Sequence, residues 1–181
     1  MSAKGRRAPV VEAAGFAALV EQLAADIARH NASASDLALV GIRRRGFPLA
    51  RRLAALLGKA RKADVPVGAI DITLYRDDLQ MVAETPIVRG SEIGFDINGR
   101  TLVLVDDVVY TGRTVRAALT ELLDFGRPKE IQLAALVDRG HRELPIEPKF
   151  VGKTIDTKKD DLVDILIAEE DGEDGVYLTR R

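Results

Sequence analysis

The sequence predicts an α/β fold in which helices flank a mostly parallel β-sheet. Two almost continuous apolar segments, residues 102–105 and 131–137, are typical of strands that are buried on both faces. Segments with apolar residues at helical spacing lie between the predicted strands, and this alternation is typical of parallel sheets. The 181 residues are 46% hydrophobic, which is enough for one sizeable core. We therefore predict a single domain over residues 1–181.

The first half of the chain contains two predicted helices and two predicted strands. Residues 36–42 and 67–74 have the apolar composition of strands. A helix precedes the first strand, and a second helix opens at Pro48, because proline is favoured in the first helical turn. The inner faces of the two helices are predicted to be Phe16, Leu19, Val20, Leu23 and Ile27, and Leu49, Leu53, Leu56 and Leu57.

The second half is predicted to hold the centre of the sheet. Residues 87–96 are expected to pair with the strand at 102–105 through a turn at Asn98 and Gly99. A helix is predicted after Thr114, ending near residues 126–128. Its apolar stripe is predicted to be Val115, Ala118, Leu119, Leu122 and Leu123.

Three remaining segments complete the predicted organisation. Residues 1–9 are expected to form a short flexible tail. Residues 162–168 and 176–179 are predicted to form a terminal hairpin. Residues 144–161 are irregular and contain two prolines, so we predict a small hood subdomain over the sheet edge.

The composition excludes several classes of protein. The chain has no cysteine, which excludes disulfides and thiolate metal sites and favours a reducing compartment, the cytoplasm. No apolar run is long enough to span a membrane. The net charge of −1 gives no overall basic excess for nucleic acid. Basic clusters within residues 43–62 and an acidic run at 156–174 are both interpreted as solvated surfaces.

The most informative segment is residues 102–114, where an apolar strand breaks into two adjacent acids, Asp106 and Asp107. These acids are expected at the carboxyl edge of a central strand, where open α/β sheets bind ligands. The unpaired N–H groups and the dipole of the following helix N-terminus favour a phosphate group. The turn into that helix consists of Thr111, Gly112, Arg113 and Thr114.

The two halves of this segment favour different parts of one ligand. Carboxylates repel phosphate, so Asp106 and Asp107 are expected to accept hydrogen bonds from vicinal ribose hydroxyls or to bind a divalent cation. A phosphorylated ribose satisfies both halves. The simpler alternative is a buried strand whose two aspartates only cap a turn, but the whole strand–turn–helix pattern favours phosphoribosyl binding.

A basic loop supplies a second candidate group for the same site. It follows the strand that ends at residue 42 and consists of Arg43, Arg44, Arg45 and Gly46. If that strand neighbours the central one, the loop opens on the same sheet edge as Asp106, where its donors would hold a departing pyrophosphate. Gly41 and Gly46 would allow the backbone to approach a ligand closely. A basic loop in water is the alternative that stays open.

These motifs resemble those of a known family. Residues 102–114 closely resemble the 5-phosphoribosyl-1-pyrophosphate (PRPP) loop of type I phosphoribosyltransferases: an apolar strand, two acids, two apolar residues, any residue, then Thr-Gly-x-Thr. The chain as a whole resembles the PyrR family, uracil phosphoribosyltransferases that in many bacteria also bind RNA as attenuators of pyrimidine operons. The matching segments are residues 67–79, 102–117, 126–128, 137–146 and 151–153.

The resemblance implies a type I phosphoribosyltransferase fold, a homodimer or higher homo-oligomer, and synthesis of UMP and pyrophosphate from uracil and PRPP with Mg²⁺. No side chain is implied as a direct metal ligand. The implied roles are catalysis for Asp106, Asp107 and Arg139, phosphate binding for Tyr110 and the turn Thr111 to Thr114, a flexible loop for Tyr75 and Arg76, and uracil recognition for the backbone near Ile155. The residues alone leave open an ion pair between Arg139 and Asp138 or another nearby acid.

The chain departs from the family pattern at several positions. Arg44 stands where the family usually has Thr before Arg-Gly, which adds charge near the pyrophosphate. The family's RNA face uses Thr and His on the first helix, where this chain has Glu21 and Ala25, and Glu147 replaces an Arg. Fewer polar contacts and two added negative charges predict weaker RNA binding. The RNA-binding residues that do match are His141, Arg142 and Lys153.

Three functions therefore stay open. The first is an active uracil phosphoribosyltransferase with little or no RNA binding. The second is a bifunctional protein that also binds pyrimidine-operon mRNA and responds to UMP. The third is a nucleotide or PRPP sensor in which the altered loop at Arg44 has lost catalysis.

Overall fold

The computed structural model describes residues 7–73 and 90–181. In chain order, its elements are β1 (Arg7–Val11), α1 (Ala13–His30), β2 (Leu37–Ile42), α2 (Gly46–Arg61), β3 (Val67–Ile70), β4 (Thr101–Val109), α3 (Arg113–Asp124), β5 (Glu130–Asp138), β6 (Phe150–Thr154), β7 (Leu162–Leu166), α4 (Ala168–Asp171) and β8 (Gly175–Thr179). The main sheet has five strands, all parallel, in the order β3-β2-β4-β5-β6. The predicted parallel sheet is confirmed, and β4 is its central strand.

Helices cover both faces of the main sheet. α1 and α2 pack against each other and against one face, and α3 packs against the other. Successive residues of β2 alternate between the two faces: Leu39 joins the core cluster of α1 and α2, whereas Ala38 and Val40 join the cluster of α3. This burial on both sides explains why the strands are continuous apolar runs rather than alternating ones.

The helices have the predicted inner faces, with one exception. Leu123 of α3 is 54% exposed, so the predicted stripe is wrong at this residue, and Ala117 is buried in its place. α2 begins at Gly46, so Pro48 lies in the first turn, where its missing N–H group costs no intrahelical hydrogen bond. The same turn brings the start of α2 directly against the end of β4.

A second, smaller sheet brings the two ends of the chain together. It is antiparallel, with the order β1-β8-β7. β7 and β8 confirm the predicted terminal hairpin, and the short helix α4 lies between them. The predicted flexible tail is wrong for residues 7–9, because they pair with β8. Apolar residues of this sheet, Val11, Ile165, Val176 and Leu178, belong to the same core cluster as Leu39 and Val103 of the main sheet.

Two expectations about connecting segments are wrong. Residues 150–154 lie within the predicted hood, but they form β6 at the edge of the main sheet, paired in parallel with β5. In the described part of 87–96, Glu92 forms an antiparallel bridge with Ala69 of β3, not a hairpin with β4. The Gly99 N–H group donates to the carbonyl of Arg127 at 2.9 Å, which ties the predicted turn to the segment before β5.

Candidate active site

A cavity of about 660 Å³ lies at the carboxyl edge of the main sheet. The end of β2, the end of β4 and the start of α3 meet there, because β2 and β4 are parallel neighbours. This confirms the predicted condition that the arginine loop and the two acids open on one edge of the sheet. The cavity is lined by Ile42, Arg43, Arg44, Arg45, Ile72, Thr73 and residues 106–117.

The two carboxylates on the cavity wall differ in their surroundings. Asp106 is buried, and its Oδ1 accepts a hydrogen bond from the Asp107 N–H group at 3.0 Å. Asp107 is half-buried, and its Oδ1 accepts one from the Val108 N–H group at 3.0 Å. Burial raises the pKa of Asp107, whereas the hydrogen bond with Asp106 and the positive charge of Arg45 act in the opposite direction. A charged carboxylate here gains from any further cation or hydroxyl donor.

The turn from β4 into α3 has the geometry of an anion-binding helix start. Gly112 precedes the helix with φ +90°, a left-handed conformation that favours glycine. The Arg113 N–H group donates to Thr111 Oγ1 at 3.3 Å, and the Arg116 N–H group begins the helical ladder by donating to Gly112 at 2.9 Å. No acidic residue lies in the first turn of α3, so no carboxylate within that turn opposes an anion at the positive end of the helix dipole.

The segment that follows β5 braces this turn from behind. The N–H groups of Glu143 and Leu144 donate to the carbonyl of Thr111 at 2.9 and 3.2 Å. Arg142 donates to the carbonyl of Tyr110 at 2.8 Å and to Asp138 at 2.7 Å. The Arg142 side chain is only 13% exposed. Its guanidinium therefore helps to hold the turn at residues 111–114 in place. From the sequence, Arg142 was predicted as a possible RNA-binding residue.

The arginine loop packs directly against the end of β4. A Cβ atom on Gly46 would lie 2.5 Å from the Val105 carbonyl oxygen, and one on Gly41 would lie 2.4 Å from the Gly46 carbonyl oxygen. The close approach that these glycines were expected to make to a ligand is instead an approach of backbone to backbone. The peptide bond between Arg43 and Arg44 is cis. Arg43 pairs with Glu92 at 2.8 Å, and its buried Nε has no hydrogen-bond partner within the described residues.

Arg139 lies behind the cavity rather than on its wall. Its guanidinium stacks 4.1 Å from the Tyr110 ring and donates to the carbonyl of Lys158 at 3.0 Å. The alternative ion pair with Asp138 is wrong, because Asp138 pairs with Arg142. The Nε of Arg139 is buried without a hydrogen-bond partner in the described part of the chain.

The remaining predicted residues are spread over the neighbouring surface. Ile155 is buried, and its N–H group donates to the carbonyl of Asp138 at 2.9 Å. His141 Nε2 lies 2.7 Å from the carbonyl oxygen of Thr157, so this ring is also used internally. Lys153 is exposed on β6. Tyr75 and Arg76 lie outside the described residues.

Sequence reasoning missed the partners of the arginine loop. Arg45 donates two hydrogen bonds of 2.8 Å to Asp171 of α4, and Arg44 lies 3.5 Å from Glu170 of the same helix. Arg52 of α2 pairs with Glu169 and Asp174. Part of the basic clusters and the end of the acidic run, which were interpreted as solvated surfaces, are therefore paired with each other. The sequence signal for this pairing was the opposite charge of the two runs.

Comparison with known proteins agrees with this geometry. Residues 10–164 match the model of the phosphoribosyl transferase domain. The protein named bifunctional protein PyrR of Roseiflexus sp. is 54% identical over 172 residues, covering 94% of each chain. The protein of that name from Thermus thermophilus is 52% identical over 160 residues, covering 88% of each chain. The chain belongs to the PyrR family of phosphoribosyl transferases.

Solved structures support the fold over the whole chain. The hypoxanthine phosphoribosyl transferase of Trypanosoma cruzi has a TM-score of 0.72 at 16% identity, covering 100% of this chain and 94% of that one. A hypoxanthine-guanine phosphoribosyltransferase of Bacillus anthracis has a TM-score of 0.68 at 17% identity, covering 100% of both chains. At these identities the likeness extends to the fold alone, which is the type I fold expected for a PyrR protein. Among the described residues, no helix is long and apolar enough to cross a membrane.

Proposed function

We propose that this phosphoribosyltransferase makes UMP and pyrophosphate from uracil and PRPP. One observation carries the proposal: a single cavity brings together the helix-start turn at residues 111–114, the carboxylates of Asp106 and Asp107, and the arginine loop at residues 43–45. These three groups complement the 5-phosphate, the ribose hydroxyls and the pyrophosphate of PRPP. Uracil as the base, and a cytoplasmic location, rest on the similarity to PyrR proteins and on the lack of cysteine.

The proposed mechanism is displacement of pyrophosphate at the ribose C1 carbon. The N–H groups at the start of α3 hold the 5-phosphate and so fix the position of C1, which lowers the entropic part of the barrier. Positive charge develops on the ribose ring, and Asp106 and Asp107 beside the hydroxyls stabilise it. Arg44 and Arg45 neutralise the charge of the departing pyrophosphate.

The residues present fit a magnesium ion that arrives with PRPP. Within the described ranges, no cluster of three or more His, Cys, Asp or Glu side chains could hold a metal by itself. Mg²⁺ commonly binds through one or two carboxylates together with substrate phosphates, and Asp106 and Asp107 provide carboxylates at the cavity. When bound, the ion supplies positive charge to the pyrophosphate oxygens.

A base panel tests the proposed activity. The protein is incubated with PRPP and Mg²⁺ and with either uracil or hypoxanthine, and the nucleotide product is measured by chromatography. We expect UMP from uracil and no corresponding product from hypoxanthine. Binding of PRPP without turnover of either base would favour the sensor function instead.

A second candidate function is binding to pyrimidine-operon mRNA, which the name of the closely similar relatives favours. Lys153 is exposed and accessible to RNA, whereas Arg142 and His141 are used inside the protein. Glu147 is exposed and lies 3.3 Å from Arg142, so a negative charge stands where the family has a basic group. We therefore propose weak binding to the protein's own leader RNA.

The RNA proposal is tested by restoring the family pattern. The variant Glu21→Thr, Ala25→His, Glu147→Arg removes two negative charges from exposed positions, so its affinity for the leader RNA should rise and the gain should shrink with added salt. The measurement is a mobility-shift titration at two salt concentrations. Nanomolar, sequence-specific binding by the unmodified protein would contradict the proposal.

A homodimer or higher homo-oligomer also stays a proposal. Within the described part of the chain, the exposed large apolar side chains that a subunit contact would cover are Leu123, Phe125 and Leu162.

A further inference from the structure

The small sheet contacts the candidate pyrophosphate-binding loop through the helix α4. Asp171 accepts two hydrogen bonds of 2.8 Å from Arg45, and its Oδ2 also accepts one from the Ile167 N–H group at 2.9 Å. The hydrogen bonds from Arg45 lower the pKa of Asp171 to about 2, so this carboxylate is charged at neutral pH. A bidentate pair of this kind fixes the orientation of the guanidinium. Arg45 is therefore held rigidly at the cavity.

The neighbouring pair between Arg44 and Glu170 is looser. The distance from Arg44 Nε to Glu170 Oε2 is 3.5 Å, which is longer than a direct charge-assisted hydrogen bond. The Arg44 side chain is 60% exposed, whereas that of Glu170 is 18% exposed. Glu170 is thus a mostly buried negative charge beside Arg44, which lines the cavity and is more than half exposed.

The charge of Arg44 has a cost as well as a benefit. Pyrophosphate is strongly anionic, and an extra guanidinium beside its subsite strengthens binding of both PRPP and the released product. Binding substrate and product more tightly lowers KM without accelerating the chemical step. Slow product release then limits turnover in many enzymes. A negative charge next to Arg44 offsets this excess.

We propose that Glu170 sets the affinity of the pyrophosphate subsite by pairing with Arg44 and competing with pyrophosphate for it. This inference rests on the proposed function of the cavity. Asp171 fixes Arg45 in one orientation. Arg44, in contrast, can bind the ligand only after its ion pair with Glu170 is broken. Glu170 is a positioning residue in this account, because it acts on the ligand through Arg44.

A double-mutant cycle tests the pairing. Glu170→Gln keeps the size of the side chain and removes its charge, so the inhibition constant of pyrophosphate and the KM for PRPP should both fall about two- to fivefold, the range of partly exposed ion pairs. Arg44→Thr should raise both constants. In the Arg44→Thr background, Glu170→Gln should change both constants little, because Glu170 then has no Arg44 guanidinium for which to compete with pyrophosphate.

A matched control comes from the same turn. Glu169→Gln removes the same charge one residue away, but Glu169 pairs with Arg52, which does not line the cavity within the described residues. Because the charge of Glu169 is paired with Arg52 and not with Arg44, this variant should leave pyrophosphate affinity close to that of the unmodified protein. A thermal unfolding curve of each variant checks that the overall fold is retained.

The outcomes separate this inference from the proposed function. Equal effects of Glu170→Gln and Glu169→Gln, a loss of pyrophosphate affinity in Glu170→Gln, or the same gain with and without Arg44 would overturn the inference while UMP synthesis by the unmodified protein continued. If the unmodified protein neither binds magnesium pyrophosphate by calorimetry nor forms UMP, the proposed function is wrong and the inference falls with it.

Discussion

The contact between Gly46 and β4 gives a sharp prediction for the substitution Gly46→Ala. A Cβ atom at this position would lie 2.5 Å from the Val105 carbonyl oxygen and 3.4 Å from the Asp106 Cα atom. Both are backbone atoms of the central strand, so no flexible side chain relieves the clash. The loop that carries Arg45 must move away from the strand that carries Asp106.

The size of the effect follows from the backbone contact. Insertions that force the backbone of a packed core to shift cost about 1–3 kcal/mol. For a chain of 181 residues, each kcal/mol lowers the Tm by about 2–4 °C. We therefore expect the Tm to fall by about 2–12 °C. A misplacement of about 1 Å at reacting groups costs up to about 10²-fold, so kcat/KM for PRPP should fall by about tenfold to a hundredfold.

The assay compares Gly46→Ala with Gly94→Ala by calorimetry and by initial rates of UMP formation. Gly94 is exposed, and a Cβ atom there meets nothing within 4 Å, so this control should keep the Tm and the activity of the unmodified protein. Wild-type stability and activity in Gly46→Ala would refute the close packing of the arginine loop on β4.

Three further predictions concern single side chains. Asp107→Asn should lower kcat about 10²-fold or more. It should also raise the Tm at neutral pH, because burial raises the pKa of the Asp107 carboxyl, so its charged form destabilises the fold. The Tm difference between the variant and the unmodified protein should vanish as the pH falls toward about 4, where an ordinary Asp becomes protonated. Arg45 lowers the pKa of Asp171 to about 2, so the charged Asp171 should stabilise the fold at neutral pH. Urea unfolding should show that this stabilisation is lost as the pH falls from about 4 to 2. The Asp171→Asn variant should lack this pH-dependent loss. Gly112→Val should abolish PRPP binding in calorimetry, because φ +90° is strained for a branched residue and Ile146 Cβ lies 3.4 Å from the new Cβ.

Each of these has its own contrary result. Near-normal turnover in Asp107→Asn would remove that residue from the proposed mechanism. A pH-independent difference between Asp171→Asn and the unmodified protein would show that its hydrogen bonds matter more than its charge. Unchanged PRPP affinity in Gly112→Val would place the 5-phosphate elsewhere.

The central strand and the two acids near its carboxyl end were predictable because their signals are local. A strand buried on both faces is apolar where helices cover it, so two adjacent acids are expected only near its carboxyl end; Asp106 and Asp107 lie in the last part of β4, which continues to Val109. The turn into α3 was predictable for the same reason, because Thr111 to Thr114 directly precede a helix with a clear apolar stripe; Gly112 there has a left-handed conformation, which favours glycine.

Non-local pairing was not predictable in the same way. Asp171 lies 126 residues from Arg45, and their opposite charge does not by itself indicate which acid meets which arginine. β6 was missed because Gly152 and Lys153 interrupt its apolar pattern, and an edge strand is covered less completely than a central one. β1 was missed for a related reason: its outer residues are exposed, and it becomes a strand by pairing with the other end of the chain.

Arg142 was predicted as a possible RNA-binding residue, and the structure shows internal hydrogen bonds that this prediction did not include. It lies in a segment that resembles the family, but its donors go to Tyr110, Asp138 and Ile146. A surface role would have required those donors to face solvent. The Arg142 side chain instead links Asp138, at the end of β5, to Tyr110, directly before the turn at residues 111–114.

A crystal structure of the protein with bound UMP tests the central claim most directly. We expect the phosphate to lie within hydrogen-bond distance, about 2.7–3.2 Å, of backbone N–H groups in residues 111–115, and the ribose hydroxyls to contact Asp106 and Asp107. UMP bound at another surface, with this turn and both carboxylates free of ligand, would contradict it.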